Sequence, residues 1–175
     1  FFNQWFFAKG HPELKIEVDY SKPENLLLRF SQVQDLNEFP VFQLPITLSW
    51  YEEAVRKTKI VQLTQAEQEF ALENGNPISL IYVNEGQEIL MKGNQVLSNA
   101  QYLQQFKESQ LGVARFAALD SLVSREAIEE LTVALPLALT DSFAAIRERG
   151  LSLLQAGDQW KEALATLEEQ VYRLA

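Results

Sequence analysis

The hydrophobic pattern of this chain changes its period near residue 97, and that change constrains the fold more than any motif. Before it, apolar residues recur at every second position. Leu14, Ile16, Val18 and Tyr20 alternate with Lys15, Glu17 and Asp19, as a strand with one dry and one wet face requires. Leu26, Leu28 and Phe30 repeat the pattern after a Ser21-Lys22-Pro23-Glu24-Asn25 turn, and Leu44, Ile46, Leu48 and Trp50 repeat it again. Pro45 has no amide donor, so it points to an edge or a strand start. Val55 to Leu63, the pair Phe70 and Leu72, the apolar run Ile78 to Val83, and Ile89-Leu90-Met91 continue the series. Turn signals at Glu73-Asn74-Gly75-Asn76-Pro77 and Glu85-Gly86-Gln87 separate them. Roughly seven short strands at this spacing are the rhythm of an Ig-like antiparallel β-sandwich.

After residue 97 the period is helical. Ser98 and Gln101 have capping-box spacing ahead of Tyr102, Leu103 and Phe106. Leu111, Ala114, Ala118 and Leu122 form a second stripe, and Ser124 is placed to cap a third helix carrying Ala127, Ile128 and Leu131. Pro136 ends or kinks that helix. Asp141 or Thr140 caps a fourth, with Phe143, Ile146, Leu151 and Leu154 expected inward, Gly157 as its C-cap and Asp158 as the next N-cap. A fifth stripe runs through Trp160, Leu164, Leu167, Val171 and Leu174. Arg115, Leu119 and Leu122 recur as Arg147, Leu151 and Leu154 at an offset of 32, a spacing close to that of HEAT-type helical repeats. Composition agrees: five of the six prolines and 13 of the 19 aromatics precede the switch, while 13 of the 17 alanines follow it. The fold class expected is α+β in two domains, a β-sandwich at 11–97 followed by a helical domain at 98–175, either a HEAT-type repeat array or an irregular bundle.

The side-chain inventory excludes most catalytic centres. The chain has no cysteine and one histidine, which removes thiol chemistry, disulfides and any site built on two imidazoles. His11 sits in a Gly10-His11-Pro12 turn, and a zinc centre needs three or four ligands. The pairs Glu52-Glu53, Glu129-Glu130 and Glu168-Glu169 are adjacent in sequence, so their side chains diverge instead of sharing a proton. Gly75, Gly86 and Gly93 are scattered through turns and make no phosphate loop. Trp50, Tyr51 and Tyr82 are candidates for a sugar-stacking platform, against the commoner role of such rings in packing. The net charge of −9 disfavours nucleic acid and anionic lipid as partners, and no apolar run approaches the ~18 residues of a membrane span. No catalytic residue, metal ligand or cofactor-binding residue is therefore assigned.

The opening, Phe1-Phe2-Asn3-Gln4-Trp5-Phe6-Phe7, has neither an initiator methionine nor the architecture of a signal peptide. Phe1, Phe2, Trp5, Phe6 and Phe7 together would form a large apolar patch. The expectation is a piece of a larger protein whose residues 1–10 are the tail of a preceding domain, with these five aromatics packed on it. The absence of cysteine suits the cytoplasm and the periplasm alike, so localisation stays open.

Asn3-Gln4-Trp5, followed by Gly10-His11-Pro12 and the strand from Leu14 to Tyr20, resembles the end of the catalytic domain in zinc aminopeptidases of the aminopeptidase N type, the gluzincins related to leukotriene hydrolase. Asp141 with Ile146-Arg147 and Leu151 also looks like the HEAT- or armadillo-like helical repeat domain that follows the β-sandwich in that family. The resemblance implies a zinc metallopeptidase as parent, with its zinc held upstream by a HExxH helix and a later glutamate and its substrate amine held by a GxMEN loop. None of those motifs occurs in this sequence, so none of their residues carries over. The resemblance further implies that the chain is a non-catalytic spacer and cover of the catalytic cleft, whose partners are its own catalytic domain and the parent's peptide substrates. Two other readings fit the same residues: a zinc-less scaffold or protein-interaction module, and a carbohydrate-binding β-sandwich.

Overall fold

A computed structural model of the chain describes residues 3–7 and 9–155. Phe1, Phe2 and the expected fifth helix, with Gly157, Asp158 and the Glu168-Glu169 face, lie outside the described residues. The chain divides into two compact units, Phe1–Val96 and Leu97–Ala175.

The first unit is a sandwich of two sheets. Its strands are β1 (Glu13–Asp19), β2 (Asn25–Gln32), β3 (Leu44–Glu52), β4 (Val55–Leu63), β5 (Glu67–Glu73), β6 (Tyr82–Val83) and β7 (Lys92–Gln95). One sheet has the order β5-β2-β1-β7 and the other β4-β3-β6. Alternation sets the faces. Leu26, Leu28 and Phe30 of β2 and Leu44, Ile46 and Leu48 of β3 are fully buried, and the two sets meet in one core with Leu14, Ile16, Val61 and Leu63. Each such side chain contributes about 1.5–3 kcal/mol by leaving water. The β3–β4 hairpin closes on Glu53 and Ala54, both with positive φ (49° and 63°), the geometry of a tight turn that follows strand twist.

Three expectations change here. Pairing is antiparallel except between β1 and β7, which run parallel. The chain leaves the second sheet at β6 and re-enters the first beside β1, so it arrives in the direction of β1. The run from Ile78 to Val83 is strand only at Tyr82–Val83. Ile78, Leu80 and Ile81 are buried in irregular backbone whose polar groups are met outside a ladder: Ile78 N donates to Pro23 O, Ile81 N to the Tyr20 hydroxyl, and Gln95 Nε2 to Ile81 O. Finally, Ile89-Leu90-Met91 is a loop with Leu90 78% exposed, and the strand begins at Lys92.

The second unit contains α1 (Asn99–Glu108), α2 (Gly112–Ser124), α3 (Ile128–Leu139) and α4 (Ala144–Gln155). Helix α1 packs on α2 and α3, α2 on α3 and α4, and α3 on α4, the layering of a helical-repeat region. The capping box of α1 forms as expected, with Ser98 Oγ accepting from Gln101 N and Gln101 Oε1 accepting from Ser98 N. The core is built on small residues: Ala118, Ala134 and Ala138 are fully buried with Leu119, Leu122 and Leu135. Gly150 lets α4 approach α3, because a Cβ there would lie 3.3 Å from Ala138 Cβ and from Leu139 Cδ2.

Ser124 does not cap α3. It is the last residue of α2, and Ala127 precedes α3. Glu126 takes a left-handed φ of 53°, Glu126 N donates to Val123 O and Ala127 N to Leu122 O; this is a Schellman closure that Glu126 makes without glycine. Pro136 does not end α3, which continues to Leu139 with Leu135 and Ala138 buried on either side of it. On α4 the buried line is Ile146, Gly150 and Leu153, whereas Phe143 and Leu151, expected inward, are 40% and 53% exposed. Leu151 is one position off that line, a rotation of about 100°. The offset match of Arg115, Leu119 and Leu122 with Arg147, Leu151 and Leu154 therefore does not mark equivalent burial.

Candidate functional site

The candidates for chemistry stand apart from one another. His11 is more than half exposed, with Nε2 3.4 Å from Glu13 Oε1. Glu52 Oε1 accepts from the Trp50 indole at 2.8 Å and from Asn74 Nδ2 at 2.7 Å, and these bonds hold its carboxyl below its ordinary pKa. Glu53 belongs to the hairpin turn, and Glu129 and Glu130 to the first turn of α3, where they complement the helix dipole. Among the described residues no group of three or more histidine, cysteine or acidic side chains is placed to hold a metal ion. No described helix is long and apolar enough to cross a membrane.

Trp50 and Tyr82 are buried, and Tyr51 meets Tyr82 edge to face with ring centroids 5.9 Å apart. Stacking on a sugar needs a ring face open to solvent, which Trp50 and Tyr82 lack. Trp50 packs in the sandwich core, whereas Tyr51 and Tyr82 lie on the other face of that sheet, so the three rings do not form the platform expected as a candidate.

What sequence reasoning missed lies in the turn after β6. The sequence places Glu85 in a turn, where glutamate is ordinarily solvated. Its side chain is instead fully buried. Ser49 Oγ and Arg56 Nε both donate to Glu85 Oε2 at 2.7 Å, and the Tyr51 hydroxyl donates to Oε1 at 2.9 Å. These donors come from β3 and β4, so only the assembled sheet brings them together. Burial alone would lower the Arg56 pKa, but hydrogen bonding and charge attraction from Glu85 outweigh it and raise the value. The next residues close on themselves. Asn84 Nδ2 donates to Ile89 O, Ile89 N donates to Asn84 Oδ1, and Gln87 N donates to Asn84 O. Asn84 and Gln87 both hold left-handed φ values, 52° and 53°.

The N-terminal aromatics divide by exposure. One wide helical turn spans Asn3–Phe7. Gln4 fastens it to the sandwich through both amide atoms, donating from Nε2 to Gln43 O at 2.9 Å and accepting at Oε1 from Gln43 N at 2.7 Å. Trp5 packs against the sandwich core with its ring centroid 6.1 Å from that of Phe42. Phe6 and Phe7 face outward, 69% and 79% exposed. Gly10 follows with φ +82°, and a Cβ there would sit 2.5 Å from the Phe39 ring, so glycine is required where this turn enters β1. Beside Trp5 an open groove of about 580 Å³ is lined by Pro45, Ile89 and Leu90, with Gln4, Gln43 and Glu88.

In the helical unit the charged feature is a loop clamp. Arg115 Nε and Nη2 donate to the two oxygens of Asp141 at 2.8 and 2.7 Å, and Asp141 Oδ1 also accepts from Phe143 N. Arg147 donates to the Asp141 and Ser142 carbonyls. Burial pushes the Asp141 carboxyl up, but the Arg115 hydrogen bonds, the Phe143 amide and the nearby positive charges hold it below its ordinary value. This is a structural ion pair that orders the start of α4.

No protein-family model matches the chain, and no curated protein matches it. Among solved structures, the chain is similar in fold to the crystal structure of Legionella pneumophila aminopeptidase A in complex with aspartic acid, with a TM-score of 0.60 and 15% sequence identity. The alignment covers 77% of this chain and 17% of that chain, so the present sequence spans less than a fifth of that protein's length.

Proposed function

We propose that this chain is a non-catalytic module of an aminopeptidase-type zinc enzyme, serving as a spacer and as a cover of the catalytic cleft. The observation that carries this reading is the outward presentation of Phe6 and Phe7 on a turn that Gln4 and Trp5 fasten to the sandwich. Two adjacent, strongly exposed phenylalanines on an anchored backbone are what a docking surface requires. The order of sandwich then helices, the resemblance of the opening residues, and the fold likeness to an aminopeptidase support the same reading.

The donor set of this chain does not suit a zinc centre, because it offers one histidine, His11, and no cysteine. Zinc and the hydrolytic chemistry belong, in this reading, to another part of the parent. The purified chain is accordingly expected not to hydrolyse amino-acid anilides, with or without added zinc; zinc-dependent turnover would overturn the assignment.

The coding sequence around this segment tests the parent directly. An intact HExxH helix supports the peptidase, and its absence points to the zinc-less scaffold. Docking is tested by expressing the catalytic portion separately and mixing it with this chain in sedimentation velocity runs. Association weakened at least about tenfold by Phe6→Asp with Phe7→Asp is the expected result, since two apolar anchors are lost. Undiminished association in the double variant removes the docking role from these residues.

A further inference from the structure

We infer that the loop from Asn84 to Leu90 is a preformed recognition element, and that its groove takes a protein segment presenting an apolar side chain beside a lysine or arginine. The inference rests on the docking reading above and adds the chemistry of what is docked.

The loop is overdetermined in a way that an ordinary connection is not. Two residues other than glycine, Asn84 and Gln87, hold left-handed backbone at φ 52° and 53°, a conformation that persists only where its surroundings enforce it. Those surroundings are visible. The Asn84 side chain bridges the loop by bonding both the N–H and the C=O of Ile89. Glu85 pins the loop to the sheet through Ser49, Tyr51 and Arg56. At the end of this closed loop stands Leu90, 78% exposed. Holding a leucine rigidly in water gains nothing for the free sandwich, but a rigid ledge loses little entropy when a partner covers it.

The lining sets the occupant. Trp5, Pro45, Ile89 and Leu90 make the groove apolar, and Glu88 is the one charged residue on it among the described residues. Arg56 is engaged by Glu85 at 2.7 Å and also feels the charge of Glu88, so two carboxylates face one cation and one negative charge is left over. The groove therefore complements an apolar anchor with a cation next to it, as charge patterns across interfaces require.

The test uses the 175-residue chain labelled with 15N and titrated with two blocked dipeptides, acetyl-Leu-Arg-amide and acetyl-Leu-Glu-amide. The Arg peptide is expected to shift the Trp5 indole and the amides of residues 84–90 saturably, and to bind about fivefold more tightly than the Glu peptide, the range of an exposed ion pair. Glu88→Gln is expected to erase that preference. Leu90→Ser is expected to weaken both peptides. Asn84→Ala is expected to raise hydrogen exchange in the loop and lower affinity, whereas Glu88→Gln leaves exchange unchanged. Equal binding of the two peptides, shifts mapping elsewhere, or no saturable shifts would each overturn the proposal. If the peptides fail while association with the catalytic portion still depends on Phe6 and Phe7, this inference falls and the docking reading stands. If the Arg peptide binds selectively while no association is seen, the groove's chemistry stands and the docking reading falls.

Discussion

The sandwich and the helical unit solve the problem of a dry interior differently. The sandwich interior is made of large side chains, with Phe30, Phe42, Leu28 and Ile46 fully buried, while the buried Glu85 carboxylate and its donors Ser49 and Tyr51 lie on the opposite face of β3 from Leu48 and Trp50. The helical interior is made by close approach, with alanines at 118, 134 and 138 and glycine at 150, and its main ion pair sits in the loop before α4. The contrast follows from geometry. Sheets pack about 10 Å apart and need long side chains to fill the gap, whereas helices that meet through small residues come closer together. Volume lost is the hazard in the first unit, and volume gained is the hazard in the second.

The largest expected effect is Phe30→Ala, which should cost about 3–5 kcal/mol of sandwich stability in urea unfolding. A cost under about 1 kcal/mol would break the comparison, because it would mean that the sheets close over a cavity. Glu85→Ala should cost about 3 kcal/mol or more by leaving the Arg56 guanidinium without its carboxylate; Glu85→Gln, which keeps an acceptor, should cost less. In the helical unit, Gly150→Val should cost about 1–3 kcal/mol by forcing α4 away from Ala138 and Leu139, while Leu151→Ala at an exposed position should change stability by no more than about 0.5 kcal/mol. A large loss at Leu151 would show that its face of α4 is covered in solution. The smallest effect is one of pH. The folded pKa of Asp141 lies below its unfolded value, so its contribution is complete above the ordinary aspartate pKa of about 3.9 and is lost as pH falls through the folded value. Asp141→Asn should flatten that acid step in the thermal midpoint of the helical unit; an unchanged acid profile would remove Asp141 from the account.

The same contrast explains what was legible in advance. Strand faces were readable, because alternation assigns each residue to one of two sides, and Leu14, Ile16, Leu26, Leu28, Phe30, Leu44, Ile46 and Leu48 all lie inward. Helix faces were less so. Along α4, Ile146, Leu151, Leu153 and Leu154 offer more apolar residues than one stripe needs, and nothing local tells Leu151 from Leu153. The Ser98 capping box was readable because both partners lie within four residues. The Schellman closure at Glu126 was not, because its usual glycine is absent. Of the candidate surface, the aromatics Trp5, Phe6 and Phe7 stood out in the sequence, but not the difference between a half-buried Trp5 and an exposed Phe7. Glu88 and Leu90 gave no local signal, since their roles depend on where the loop of Glu85 is pinned.

The sequence by itself determined the α+β class, with strands before helices, and the poverty of metal and nucleophile chemistry, because periodicity and side-chain inventory are local properties. Only the tertiary structure decided that Glu85 is buried against side chains of β3 and β4, that β7 runs parallel to β1, and that Leu90 stands out beside Trp5. Each of these joins residues distant along the chain, and a short-range pattern carries no information about which distant groups will share one dry volume.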